Sequence, residues 1–456
     1  MRSLTCFKAY DIRGRLGTEL DQDVARRIGR AFVAALGARR VVVGRDVRAS
    51  SRALLDALVD GLTEAGADVL DLGLCGAEEM YFATTHLDAD GGVEVTASHN
   101  PIDYNGMKLV RRGSAPLDAA TGLARIRALA EAGAPVPAGT RRGTARSAED
   151  ARAAYVERVL SFVDVATLRP LRILVNAGNG AAGPTLDAIA AALAARGAPL
   201  ELVRMHHEPD GSFPNGIPNP LLPENRPATA AAVVAAGADF GAAWDGDFDR
   251  CFFFDETGRF VPGEYVVGLL AEAFLARDPG ATIVHDPRVV WNVVDAVAAA
   301  GGAAHQARTG HAFVKQALRD TGAVYGGEMS AHHYFRDFVC CDSGMIPLLL
   351  VAGLVSRRGR SLGEILAARM AAFPSSGEIN FRLGDPAAAV ARVRAALEPE
   401  ALSMDETDGL SLAFADWRFN LRTSNTEPLL RLNVEARGDA DLVAHGVARL
   451  RALIEA

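Results

Sequence analysis

One pattern, met three times, constrains this chain more than any other feature. A short β-branched run is followed by a polar loop, then an Ala- and Leu-rich stretch ending near Gly, then a second apolar run. The first copy is VVVGRD (41–46), a helix predicted around Ser51 to Ala65, and the run ADVLDLGL. The second is RILVNAGNG (172–180), a helix around Ala181 to Ala195, and PLELVRM. The third is TIVHDPR (282–288), a helix around Val290 to Ala299, and a run leading to ARTGH. Each reads as strand, helix, strand, with glycine near the helix end supplying a left-handed cap. Such units imply parallel sheet covered by helices.

The last ~85 residues follow a different rule. FPSSGEI, FRL, LSLAF, WRFNLRTS and LLRLNVEAR read as strands, with helices around 386–397 and 441–455, which suggests a smaller α+β domain. With ~100–200 residues per domain, 456 residues suit three or four domains better than one large sheet. The expected fold class is therefore α/β: three serial mixed α/β domains plus a smaller C-terminal α+β domain. The expected boundaries are 1–150, 151–254, 255–370 and 371–456. The Pro/Gly/polar stretch 133–150 reads as a linker or loop.

Hydrophobic residues make up 49% and charged residues 23%, the composition of an ordinary globular protein. A net charge of -8 argues against a nucleic-acid polymer as partner but leaves a small phosphate ligand open, since local basic residues decide that. The five cysteines are scattered and form no CxxC motif, as expected of reduced thiols. The first residues carry no apolar signal-peptide core, and the longest apolar run, Ile346 to Val355, is too short to span a bilayer. The expectation is a cytoplasmic protein without a membrane partner.

Four loops carry chemistry. In Thr96-Ala97-Ser98-His99-Asn100-Pro101 a serine sits in a turn at a strand end. Serine is a weak nucleophile and needs a base, or a phosphate already installed on it; an Asx-type turn without chemistry fits the hexapeptide equally well. In Asp245-Gly246-Asp247-Phe248-Asp249-Arg250, three alternating carboxylates can converge on a hard divalent cation, and Arg250 adds a charge suited to phosphate. A calcium-binding EF-hand is excluded because Arg250 stands where that loop needs Gly. A phosphatase using Asp245 as nucleophile is the rival enzyme, and it would leave Ser98 without a role. Gly327-Glu328-Met329-Ser330-Ala331-His332 gathers a carboxylate, a hydroxyl and an imidazole suited to sugar hydroxyls; His333 beside it fits packing equally well. Arg422-Thr423-Ser424-Asn425-Thr426-Glu427-Pro428 offers a guanidinium, hydroxyls and backbone N–H groups, a phosphate cradle without a P-loop.

Together these loops resemble the α-D-phosphohexomutase superfamily. The match runs through the whole chain in order: KAYDIRG (8–14), TASHNP (96–101), DGDFDR (245–250), TGH (309–311), GEMSAHH (327–333) and RTSNTEP (422–428). Flanking stretches such as DYNGMKL and PNGIPNPLLPE are similar to bacterial members that serve GDP-mannose and exopolysaccharide synthesis. The resemblance implies four domains round a central cleft. It implies interconversion of mannose 6-phosphate and mannose 1-phosphate through a phosphoserine at Ser98 and a hexose 1,6-bisphosphate, which also acts as activator. One Mg2+ per chain would be held by phosphorylated Ser98 with Asp245, Asp247 and Asp249. Arg13, His99, Lys108, Arg250 and His311 would serve the reacting end, with Lys108 and His311 both open as general acid or base. Lys8, Tyr10, Arg288, Glu328, Ser330, His332, Arg422, Ser424, Asn425, Thr426 and Arg431 would bind substrate, Glu328 and Ser330 at the sugar 3- and 4-hydroxyls.

The partners implied are small hexose phosphates, with monomer and dimer both open. Three residues depart from the family pattern: Phe248 and Ala331 stand where glycine is common, and Arg288 where lysine is common. The last two bear on the choice between mannose and glucose, so phosphoglucomutase or dual activity is the nearest alternative. A sugar-phosphate phosphatase is the alternative outside the mutases, and a sugar-phosphate-binding protein would need neither Ser98 nor a metal.

Overall fold

The computed structural model describes residues 3–423 and 429–456. They form two compact units, one made of residues up to Phe260 together with Asp337–Ser361, the other of Val261–Arg336 with Leu362–Ala456.

The first unit contains two sheets. In the first, Arg40–Arg45 lies between Gly91–Val95 and Asp68–Leu74, parallel to both, as the strand–helix–strand reading requires. Tyr104–Arg111 then adds antiparallel to Gly91–Val95, and Ile12–Arg15 antiparallel to Tyr104–Arg111. The helices Gln22–Leu36, Ser51–Glu64 and Ala124–Glu131 supply Ile28, Phe32, Leu54, Leu58 and Ile126 to the core beneath this sheet. Within the stretch read as a linker, Ala145–Ser147 instead forms a short edge strand parallel to Asp68–Leu74. Its side chains are exposed, so the pairing rests on backbone bonds alone and leaves no apolar signature.

In the second sheet, Leu171–Asn176 lies parallel to both Leu200–Met205 and Phe240–Trp244. Cys251–Phe254 returns antiparallel to Phe240–Trp244, so the acidic motif becomes the turn of a hairpin whose strands are wholly buried. The helix Met345–Arg358 is almost entirely buried, and the carbonyl of the preceding Gly344 accepts a bond from the Trp244 indole at 3.0 Å. No helix among the described residues is long and apolar enough to cross a membrane.

The second unit contains the third copy of the pattern. Thr282–His285 pairs parallel with Ala303–Gln306 and with Tyr325–Gly327, and His333–Phe335 closes an antiparallel hairpin on the latter. The C-terminal sheet is antiparallel, in the order Ser375–Phe381, Leu430–Ala436, Trp417–Thr423, Leu410–Ala413, Ser403–Asp405. Helices Pro386–Leu397 and Ala440–Glu455 supply Val393, Leu397, Leu450 and Ile454 to its core. In place of the two expected strands FPSSGEI and FRL there is one, Ser375–Phe381, with a register shift between Ser375 and Glu378; Arg382 and Leu383 lie beyond its end. The edge strand Ser403–Asp405 was not expected. All five cysteines are free thiols, four of them buried.

Candidate active site

Ser98 lies three residues beyond the strand Gly91–Val95, buried, with a left-handed φ of 47°. That conformation costs a non-glycine residue roughly 1–2 kcal/mol and persists only where surroundings impose it. Here the Thr96 hydroxyl accepts from the Ser98 backbone N–H at 2.9 Å. The Ser98 hydroxyl donates to Asp245 Oδ2 at 2.5 Å, lies 2.9 Å from His99 Nδ1, and accepts from Arg250 Nη2 at 3.2 Å. A methyl group on Gly246 would come within 2.5 Å of the Ser98 carbonyl oxygen. The serine loop and the acidic hairpin are therefore in backbone contact, which only glycine permits.

Asp245, Asp247 and Asp249 are fully buried, and ligand oxygens from the three lie within 4.8 Å of one another. Lys108 places its ammonium 2.7 Å from Asp247 Oδ2 and also on Asp249. Arg250 donates to Asp245 Oδ2 through Nε at 2.9 Å and Nη2 at 2.6 Å. Burial raises the Asp245 carboxyl above its usual range, against the pull of Arg250. Burial opposes the charge on Asp247 too and is the largest single influence, but Lys108 and Arg13 together outweigh it and hold that carboxyl below the usual range. Burial likewise disfavours the Lys108 ammonium, and Asp247 and Asp249 more than offset it, so the group stays protonated. The His99 side chain is 40% exposed, yet desolvation and the neighbouring Arg250 push its imidazole well below the ordinary value, towards the neutral form.

Two buried oxygens, Asp245 Oδ1 and Asp247 Oδ1, have no hydrogen-bond partner among the described residues. An oxygen donor set with an excess of negative charge fits a hard divalent cation such as Mg2+. Phe248 takes the turn at φ 46°, a conformation that glycine favours. The ring is fully buried, and a methyl group on Gly76 would come within 2.3 Å of it, so the missing side chain there makes room for the phenylalanine. Arg13 donates to the Thr96 carbonyl and lies 3.5 Å from Asp11. Lys8 turns to its own segment, donating to the Thr5 carbonyl at 3.0 Å, and Tyr10 is half-buried.

The other candidates lie in the second unit. Arg288 Nη2 donates to Asp286 Oδ2 at 2.6 Å, Ser330 Oγ at 3.1 Å and Glu328 Oε1 at 3.5 Å. Asp286 also accepts from the backbone N–H groups of Arg288 and Met329, tying the two loops together. Glu328 accepts from Tyr334 at 2.6 Å and from the backbone of Gly310 at 3.0 Å, which sets it beside the start of the helix His311–Thr321. Ala331, in the Glu328–His332 turn, has φ 68°, again the conformation glycine favours. His332 is half-buried and its ring stacks on Tyr334. His333 is a packing residue: buried, bonded to the Tyr325 hydroxyl at 2.7 Å and pushed to a pKa of about 3 by burial.

Arg422 reaches Glu378 Oε2 at 3.2 Å and Arg431 reaches Glu378 Oε1 at 3.4 Å, while Arg288 lies 3.7 Å from the same carboxylate. Ser424, Asn425 and Thr426 lie outside the described residues. Asp46, Arg48, Asp286 and Glu378 were not singled out in the sequence. The only signal for the first three is position, since Arg45-Asp46-Val47-Arg48 and Asp286-Pro287-Arg288 end strands of parallel sheets, where ligands bind.

A buried serine hydroxyl held against an acidic hairpin in one unit, and arginines grouped with carboxylates and a hydroxyl in the other, are groups that phosphoryl transfer can use. Family models described as phosphoglucomutase/phosphomannomutase match residues 5–135 (alpha/beta/alpha domain I), 153–258 (domain II), 262–373 (domain III) and 378–453 (C-terminal domain). The chain belongs to this family, the α-D-phosphohexomutases. It is 61% identical over 444 residues to a phosphomannomutase of Salmonella montevideo, covering 97% of each chain. It is 59% identical over 441 residues to the phosphohexose mutases of Xanthomonas campestris pv. campestris, again covering 97% of each. A crystal structure of a phosphoglucomutase/phosphomannomutase family protein from Burkholderia thailandensis is similar with a TM-score of 0.87 at 35% identity, covering 99% of this chain and 98% of that one.

Proposed function

We propose that this chain interconverts mannose 6-phosphate and mannose 1-phosphate by way of a phosphoryl group carried on Ser98. The observation that carries the reading is the Ser98 hydroxyl itself, bonded to Asp245 at 2.5 Å and to Arg250 at 3.2 Å in a buried corner. The name of the Salmonella montevideo relative, a phosphomannomutase at 61% identity, supports the choice of sugar.

The two ends of one hexose are too far apart for direct transfer. In the proposed cycle the Ser98 Oγ–P bond breaks as a free sugar hydroxyl forms a bond to the same phosphorus. The hydroxyl proton leaves to a base, for which His311 is the candidate, because Lys108 stays protonated and serves as a charge or as the acid of the reverse step. The resulting hexose 1,6-bisphosphate turns round, and its other phosphoryl group returns to Ser98 Oγ, so that atoms and charge balance over the cycle. Phosphoryl transfer depends on positioning and charge neutralisation, which Arg250 and Lys108 supply. Asp245, Asp247 and Asp249 would hold a Mg2+ ion, which when bound neutralises charge on the transferring phosphoryl group. Glu328, Ser330 and Arg288 would orient the sugar, and Arg422 with the 424–426 segment would hold the phosphate that does not react. The dephosphorylated enzyme would need hexose 1,6-bisphosphate to start. On this reading the protein would work in the cytoplasm and would supply mannose 1-phosphate to nucleotide-sugar synthesis.

Intact-mass spectrometry of the purified protein should show one phosphoryl adduct that vanishes in Ser98→Ala together with mutase activity. An active enzyme phosphorylated only elsewhere would overturn the reading. Kinetics on mannose 1-phosphate and glucose 1-phosphate decide the sugar, and release of free phosphate without isomerisation would identify a phosphatase.

A further inference from the structure

Arg48 is buried and spends its guanidinium on the backbone of a single loop. Its Nη2 donates to the carbonyls of Ser98 at 2.9 Å and Asn100 at 2.5 Å, and its Nη1 to those of Pro101 at 2.9 Å and Tyr104 at 3.1 Å. These are the carbonyls of the segment that turns from the strand Gly91–Val95 into the strand Tyr104–Arg111. Ser98 is buried, and a buried carbonyl left unmet carries a desolvation cost; the Pro101 carbonyl also accepts from the Tyr104 N–H at 3.0 Å.

Asp46 completes the grip from the other side. It accepts from the Ala97 N–H at 3.2 Å, from the Arg48 N–H at 3.0 Å and from the Ser51 hydroxyl at 2.5 Å. Its Oδ2 also lies 3.5 Å from Arg48 Nε. The Phe213 ring stands 5.5 Å from the guanidinium carbon. All four N–H bonds of the two terminal nitrogens point at the loop backbone, so Arg48 acts on the loop and not on a bound phosphate.

We infer that Arg48 is a positioning residue for the reaction: it holds the Ser98 loop in the left-handed conformation that aims the Ser98 hydroxyl. The inference rests on the reading that Ser98 carries the phosphoryl group. Lysine cannot replace it, because a single ammonium lacks the planar fork that reaches four carbonyls at once.

The test compares full-length wild type, Arg48→Lys and Arg48→Ala. Misplacing a reacting atom by an ångström costs on the order of a hundredfold in rate. We expect kcat for mannose 1-phosphate to fall ~10- to 100-fold in Arg48→Lys, with KM within about twofold, because the substrate contacts are intact. The rate at which hexose 1,6-bisphosphate phosphorylates Ser98, followed by intact mass, should fall by the same factor. Amide hydrogen exchange should rise in the 97–104 segment and nowhere else. If Arg48→Ala fails to fold, the lysine variant, which keeps the charge, carries the test.

Unchanged kcat and unchanged exchange in the loop would overturn the inference. So would a loss of activity that matches a loss of folded protein, with a normal phosphorylation rate per folded molecule. If the loop loosens in Arg48→Lys while wild-type Ser98 never takes a phosphate, the functional reading fails and the inference falls as a catalytic one, leaving only the loop contact.

Discussion

The Ser98 hairpin region and the Arg288–Glu378–Arg422 region solve opposite electrostatic problems. In the first, three buried carboxylates face Lys108 and Arg250, and two carboxylate oxygens have no hydrogen-bond partner among the described residues. In the second, guanidiniums gather round carboxylates of the same unit: Arg288 on Asp286, Arg422 and Arg431 on Glu378. Burying charge is costly unless it is paired. The first region therefore suits an added cation. The second is balanced as it stands, but its contacts to Glu378, at 3.2 to 3.7 Å, are long for charged pairs. By contrast the nearby Arg418–Glu435 pair closes to 2.7 Å, and Glu435 also accepts from the backbone of Val290 and Trp291. Tight pairs brace the loops, and the longer pairs hold Glu378 less firmly.

The largest effect should come from the acidic region. Asp247→Asn should lower mutase turnover by orders of magnitude, because charge stabilisation acts in the transition state. Thermal unfolding should move by only a few degrees, roughly the shift that ~1 kcal/mol produces in a domain of this size. Full activity in excess chelator would break the contrast between the two regions, since it would mean that no cation is needed.

A smaller effect tests the arginine region. Arg422→Ala in a Ser98→Ala background, where nothing reacts, should weaken mannose 1-phosphate and mannose 6-phosphate alike by calorimetry. Loss of one hydrogen bond to a charged group is ~1.5–3 kcal/mol, or roughly ten- to a hundredfold in affinity. A loss confined to one substrate would mean separate phosphate sites, and the turning of the bisphosphate would have to be abandoned.

The smallest effect concerns pH and asks whether acid sensitivity comes from the charged clusters alone. His333, held at a pKa of about 3 by burial, refuses a proton that the unfolded chain accepts near its ordinary value of about 6.5. Its cost to stability is absent above about pH 6.5 and grows as pH falls towards about 3, with a slope of at most about 1.4 kcal/mol per pH unit. His333→Gln keeps a partner for the Tyr325 hydroxyl and cannot titrate. Its urea midpoint should therefore fall less steeply than wild type between about pH 6 and about pH 4. Equal slopes would assign the acid sensitivity to the carboxylate clusters instead.

Much of the fold was legible because it is periodic. The helices expected around 51–65, 181–195 and 290–299 are Ser51–Glu64, Ala182–Ala195 and Trp291–Ala299, and each joins two parallel neighbours. Elements without an apolar face were not legible. Ala145–Ser147 and Ser403–Asp405 are edge strands of three exposed or half-exposed residues, held by backbone bonds that any sequence can make. In the candidate site, the structure sets the expected Ser98 loop against the expected acidic turn, and the residues that brace them were not legible. Arg48 reaches carbonyls 50 to 56 positions along the chain, and Arg422 reaches Glu378 across 44. No spacing rule connects residues so far apart.

The sequence by itself determined what adjacency determines. Alternating aspartates after a buried strand make an acidic turn, because the turn follows from Gly246 and from the hairpin pairing of Trp244 with Cys251. Tertiary structure decided what lies across from that turn. Ser98 and Asp245 are 147 positions apart and are joined by packing of two separate sheets. Phe248 can hold the conformation that glycine favours because Gly76, on another element, leaves space for its ring. Local backbone preferences act over a few residues, whereas steric fit and the pairing of buried polar groups act wherever the fold brings surfaces together.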